Sequence, residues 1–252
     1  MVFVVQYRPP PTVGAYIRYV SKKGDDPSSG PWIACVMASK KLHRSSAKKS
    51  KRPASKKQQA ADTRRELLRL ARTDFASSGY AGLSLERLVG RAGLTRGALY
   101  HQFEDKKDLF RAVLEEVQGD VVRAIEKAYR SVDDPWQGLR LGCHAFVETA
   151  ARPGIRKILL VDGPAVLGWQ EWRRIDAENG VKELRAGLEE LMEAGILRKL
   201  PGEALSYMLS GAMNEAALWL AEQKRPNALS DARRILDVFL ESLLVSKSKA
   251  RP

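Results

Sequence analysis

The sequence predicts an all-α fold of about nine helices, a small three-helix unit followed by a larger helical one. Three observations lead there. From about residue 60 apolar residues recur with a 3.6-residue period, no run alternates as a strand would, and capping residues and glycines punctuate the chain at short intervals. A chain of 252 residues is long enough to bury a sizeable core and to divide into two such units.

Composition narrows the function classes. No stretch approaches the ~18 uninterrupted apolar residues of a membrane span, and the first residues lack a basic start followed by a long apolar run. A cytoplasmic protein without a membrane partner is therefore expected. Two cysteines, Cys35 and Cys143, make a disulfide framework or a four-ligand zinc site an unsuitable reading, and His43, His101 and His144 are scattered. Neither a metal nor a cofactor is expected. The net charge of +13 points to anionic partners, and it sits at one end. Residues 40–57 hold nine Lys or Arg and no acid, whereas 58–246 hold 27 basic and 28 acidic residues.

Residues 1–57 are expected to form a disordered basic extension, since their Pro, Gly, Lys and Ser clusters bury too little apolar area to offset ordering entropy. Met37 opens a second beginning, "MASKKLHRSSAKKSKRPASKK". The preceding segment is then either a gene-model extension or an ordinary disordered tail, which the intact mass of the native protein distinguishes. The basic stretch is either a solubilising tail or an arm that tracks nucleic-acid phosphates. A basic tail, 247–252, closes the chain.

Helix one is expected over roughly 60–78, with Leu67, Leu68, Ala71 and Phe75 on one face and Gly79 as its stop. Ser84 caps helix two, whose stripe is Leu85, Leu88 and Val89 and whose end is the "RAG" at 91–93. Thr95 caps a third helix running to about His101, and Asp105 with Asp108 starts a longer fourth through Leu109, Phe110, Val113, Leu114 and Val117. Further helices follow from Trp136 to about Ala151, a short one before Gly163-Pro164, and a long one from Trp169 to Ala194 stopped by Gly195. Glu203–Glu222 and Asp231 to about Val245 complete the set.

Two short helices joined by a tight Ala-Gly-Leu turn and braced by a third make a helix-turn-helix, the second helix of which lies in a DNA major groove. Leu94, Leu99 and Phe103 anchor that helix. Thr95, Arg96, Gly97, Tyr100 and His101 remain for its outer face. Gly97 costs up to about 1 kcal/mol against alanine in a helix, which close approach of backbone to DNA would justify. Arg96 is the expected base reader, because a guanidinium grips guanine O6 and N7 in a bidentate pair worth about 1–3 kcal/mol of discrimination. Thr95, Tyr100 and His101 suit phosphate, a thymine methyl or a second base edge. Lys106 and Ser84 mark helix starts that favour phosphate, and Arg64 on helix one joins the DNA-facing set.

The run "GYAGLSLERLVGRAGLTRGALYHQFEDKKDLFRAVLEEV", residues 79–117, resembles the DNA-binding domain of the TetR family of bacterial transcriptional regulators. Gly79-Tyr80, Ser84 and Ala92 through Phe103 carry the likeness, with Gly93, Gly97, Leu99, Tyr100, Phe103 and Lys106 at the family's spacing. Val89-Gly90 departs from its usual Ile-Ala. The resemblance implies a DNA-binding domain over 58–106 and an effector-binding and dimerisation domain over 107–246. It also implies a homodimer on a palindromic operator, acting as a repressor and released by an unknown small-molecule effector.

Trp136, Phe146, Trp169, Trp172, Tyr207 and Met208 are expected to wall a pocket for an apolar or aromatic effector, although each is also an ordinary core candidate. The segment 159–176, with Gly163-Pro164 and two tryptophans, is the expected pocket rim or hinge. Ala212, Ala216, Ile235, Phe239 and Leu243, with Met208 again on the same stripe, are the expected dimer seam or else core. Cys143 beside His144 reads as a buried thiol next to a satisfied histidine, since helical neighbours point about 100° apart. The alternative function is a DNA-binding protein without an effector, its basic arm giving largely sequence-independent affinity. No nucleophile elbow, phosphate loop or metal spacing supports an enzyme.

Overall fold

The computed structural model describes residues 56–245. The basic extension except Lys56 and Lys57, the second start at Met37, Cys35 and the tail 247–252 lie outside the described residues. From residue 60 onward these form one compact unit. It is all-α, and among the described residues the one extended pairing is an isolated bridge between Leu197 and Leu244.

Helix α1, Lys56–Gly82, buries Leu67, Leu68, Leu70, Ala71 and Phe75 and is broken at Gly79, whose φ of 76° is open to glycine at little cost. Tyr80 just beyond stacks on Phe75 at 6.0 Å and meets Phe110 edge-on at 5.4 Å, so three rings lock the turn to the fourth helix. Helix α2, Leu85–Arg91, is capped by Ser84, which accepts from the Arg87 N–H. Gly93, φ 64°, turns the chain into α3, Arg96–Tyr100, where Thr95 Oγ1 accepts from Ala98 N–H at 3.2 Å. Asp105 caps α4, Lys106–Tyr129, by accepting from Asp108 N–H at 2.7 Å.

Asp134 caps α5, Pro135–Ala150. Helices α4 and α5 pack along their length. Small residues let them come close: a Cβ on Gly138 would meet Tyr129 ring carbons at 3.0 Å, and one on Gly142 would meet Ile125 Cγ2 at 3.3 Å. Phe146, Cys143, Leu114, Val117 and Val121 fill the core between them.

Two helices differ from expectation. Helix α6 runs continuously over 153–167, as α-helical Pro153–Arg156, wide π turns at Lys157–Asp162, and α-helical Gly163–Leu167. Gly163-Pro164 therefore does not interrupt it. Proline has no N–H to donate backward, and the wide turns immediately before it, with i→i+5 bonding, take up that defect. The break falls instead at Gly168, φ 87°. Gly163 is demanded by packing: its missing Cβ would meet Trp172 Cδ1 at 3.0 Å, Ile158 O at 3.1 Å and Leu114 Cδ1 at 3.1 Å. Helix α7 spans 169–193, with a second wide turn at Ala177–Val181 between Trp169–Asp176 and Lys182–Glu193, and Gly195, φ 71°, follows it.

Helix α8 covers Gly202–Glu222 and α9 covers Ala228–Glu241. The last helix ends before the expected Val245 because residues beyond it pair with the α7–α8 connection. Arg198 N–H donates to Leu243 O at 2.8 Å, and Val245 N–H to Ile196 O at 3.0 Å.

Candidate nucleic-acid interface

The reader helix owes its placement to Leu99 and Phe103, each 2% exposed, which sink one face into the α1–α4 core. Thr95, Arg96, Gly97, Tyr100 and His101 are all exposed, on α3 or at its two ends. Gly97 faces open space: an added Cβ would meet only Thr95 Oγ1, at 3.8 Å. Among the described residues no packing requires glycine at that position.

Arg64 and Lys106 hold this surface in place from behind. The Arg64 guanidinium donates to Gln102 O at 3.0 Å and lies 4.4 Å over the Phe103 ring, clamping α1 to the chain just beyond α3. The Lys106 ammonium sits 4.6 Å over the Tyr80 ring, and burial lowers its pKa. Both are half-buried, and Ser84 is half-buried at the start of α2.

Sequence reasoning missed Glu86. This exposed α2 residue reaches across the turn and pairs with the Arg96 guanidinium. It also missed the joint between reader and sensor. Asp162, at the end of the wide turns, accepts from Tyr80 N–H at 2.7 Å, and Lys157 Nζ donates to Ser77 O at 2.9 Å. Arg111 near the start of α4 donates twice to Glu171 Oε1 of α7, at 3.1 and 2.7 Å. Partners 60 to 82 residues apart leave no local signal.

The expected pocket residues differ widely in burial. Phe146, Trp136 and Trp172 are buried core, and Trp172 donates its indole N–H to Leu159 O at 3.0 Å, satisfying a carbonyl within the wide turns. Trp169 and Met208 are 63% and 74% exposed. Tyr207 is half-buried with the Arg173 guanidinium 4.7 Å over its ring. Within 159–176, Leu159, Leu160, Gly163, Leu167 and Trp172 pack into the core, while Val161, Ala165 and residues 168–170 are exposed.

Ala212, Ala216, Ile235 and Phe239 do come together, lining one groove of about 660 Å³ between α8 and α9 with Trp219 and Val238. Exposed Met208 lies one turn before Ala212 on α8, so it extends this face. Leu243 does not belong to it: the pairing with 196–198 turns it into its own chain's core, 9% exposed. Cys143 is buried, which pushes its pKa up to about 12, and His144 Nε2 lies 2.8 Å from Asp237 Oδ1 on α9.

Two short capped helices about a left-handed glycine, with a polar outer face on the second, define a helix-turn-helix DNA-binding protein. Comparison with known proteins agrees. Residues 67–113 match the family model of bacterial regulatory proteins of the tetR family, and residues 136–243 match the tetracyclin repressor-like C-terminal domain. The chain is 44% identical over 193 residues to the HTH-type transcriptional repressor AcnR of Corynebacterium efficiens, covering 76% of this chain and 94% of that one. To the HTH-type transcriptional regulator AcrR of Shigella flexneri it is 31% identical over 213 residues, covering 78% and 96%. The crystal structure of a TetR-family transcriptional regulator from Pectobacterium atrosepticum superimposes with a TM-score of 0.63 at 34% identity, covering 77% of this chain and 99% of that one. The chain belongs to the TetR family of bacterial transcriptional regulators.

Proposed function

We propose that this regulator is a homodimeric repressor that reads a palindromic operator through α3 and is released by a small molecule held in its C-terminal helices. The observation that carries the reading is α3 itself. Its apolar face is buried, and its five outward residues, with open space over Gly97, present the backbone and the Arg96 guanidinium to a major groove. Arg96 acts as base reader. Thr95, Tyr100 and His101 contact the backbone or a second base edge, and Arg64, Ser84 and Lys106 support them from the flanking helices.

The apolar groove of α8 and α9, with Ile235, Val238 and Phe239 each more than half exposed, supports a self-complementary interface with a second copy. The repressor sense is supported by the AcnR relative.

Selection of bound duplexes from a randomised library tests the reading. An inverted repeat with half-sites about 34–36 Å apart, bound by a species of dimer mass in sedimentation, is the expected outcome. A single half-site or a monomer overturns it, and selection without any consensus would favour sequence-independent binding through the basic arm.

A further inference from the structure

The ion pair between Glu86 and Arg96 joins the two helices of the reading motif on their exposed side. Both side chains are open to water, 70% and 65% exposed, so burial does not force the pairing and no packing depends on it. It places a carboxylate beside the residue that faces the groove, where a phosphate-seeking surface would carry none. Among the described residues Arg96 has no other ion-pair partner.

From this geometry we infer that Glu86 is a specificity-determining positioning residue that acts through Arg96. A free guanidinium on a DNA-facing helix has two competing uses. It attracts any phosphate, which is sequence-independent, and it grips guanine O6 and N7, which is not. A carboxylate on one nitrogen cancels much of the net charge that draws phosphate. The guanidinium has five N–H donors, so the remaining ones still offer a fork to a neutral guanine edge. Glu86 thereby weakens non-specific binding more than operator binding. The inference rests on Arg96 being the base reader.

The magnitudes favour discrimination over raw affinity. Exposed ion pairs shift an equilibrium by no more than about fivefold, so the tether does not outweigh a bidentate guanine contact, which discriminates by roughly fivefold to a hundredfold.

The test uses the full chain, a duplex selected by it from a randomised library, and an unselected random-sequence duplex of equal length. Glu86→Gln should tighten binding to the random duplex by about twofold to fivefold and steepen its log–log salt slope by about 0.9 per phosphate newly neutralised. Binding to the selected duplex should tighten less or weaken, so the ratio of the two affinities falls. In an Arg96→Ala background Glu86→Gln should leave the ratio and the slope unchanged. An unchanged ratio in the otherwise native chain overturns the inference, and so does an equal slope change in both backgrounds, which would mark simple long-range repulsion. If Arg96→Ala alone leaves base preference intact, it is the base-reader assignment that fails.

Discussion

Gly97 in the reader and Gly138, Gly142 and Gly163 in the C-terminal helices sit in opposite surroundings. In the reader, Gly97 looks onto open space, and an added Cβ would touch only Thr95 Oγ1. In the C-terminal helices, a Cβ added to Gly138, Gly142 or Gly163 would meet Tyr129, Ile125, Trp172 and Leu114 at 3.0 to 3.3 Å. The same residue type faces open space at one site and is required by its own chain's packing at the other three. A functional surface shows itself where a locally unfavourable residue has no internal reason, since propensity alone would favour alanine there.

The contrast can be broken at four points. The largest effect is expected in the sensor core: Phe146→Ala, at a fully buried ring, should cost about 3–5 kcal/mol in denaturant melts. A loss under ~1 kcal/mol, below the range for a packed aromatic, would return Phe146 to a cavity wall. Gly163→Ala should destabilise by about 1–3 kcal/mol through overpacking against a backbone carbonyl and two side chains. In the reader, Arg96→Ala should leave the melt unchanged and weaken operator binding by about 1–3 kcal/mol, with wider tolerance at one base position in a mismatch panel. Gly97→Ala sharpens the contrast most directly. It should raise stability by roughly 0.5–1 kcal/mol, as alanine does in a helix interior, while weakening DNA binding in the same preparation. A destabilised Gly97→Ala protein would mean the glycine serves the fold after all.

Legibility followed the range of the interactions. Ser84, Thr95 and Asp105 were readable as caps because a cap bonds to an N–H three residues on, and Gly79, Gly93 and Gly195 as stops because each turns its own backbone. The wide turns in α6 were not readable, since Trp172, from the next helix, donates to the Leu159 carbonyl within them and crowds Gly163 at their end. The aromatics show the same division. Trp169 and Trp172 are three residues apart with similar local sequence, yet one is 63% exposed and the other 5%. Leu243 looked like part of the Ile235–Phe239 stripe because α9 looked longer. The pairing of 243–245 with 196–198 ended the helix and turned that side chain inward.

By itself, the sequence determined the all-α class, the helix-turn-helix and the five residues it exposes, because period, capping and turn chemistry are settled within a few residues of chain. The tertiary structure alone decided which large apolar groups are core, which four of the expected seam residues share a groove, that Arg64 and Lys106 brace the reader, and that Glu86 tethers Arg96. Those outcomes depend on contacts between helices distant in sequence or turned about a hinge, where packing and charge are resolved only once the chain has folded.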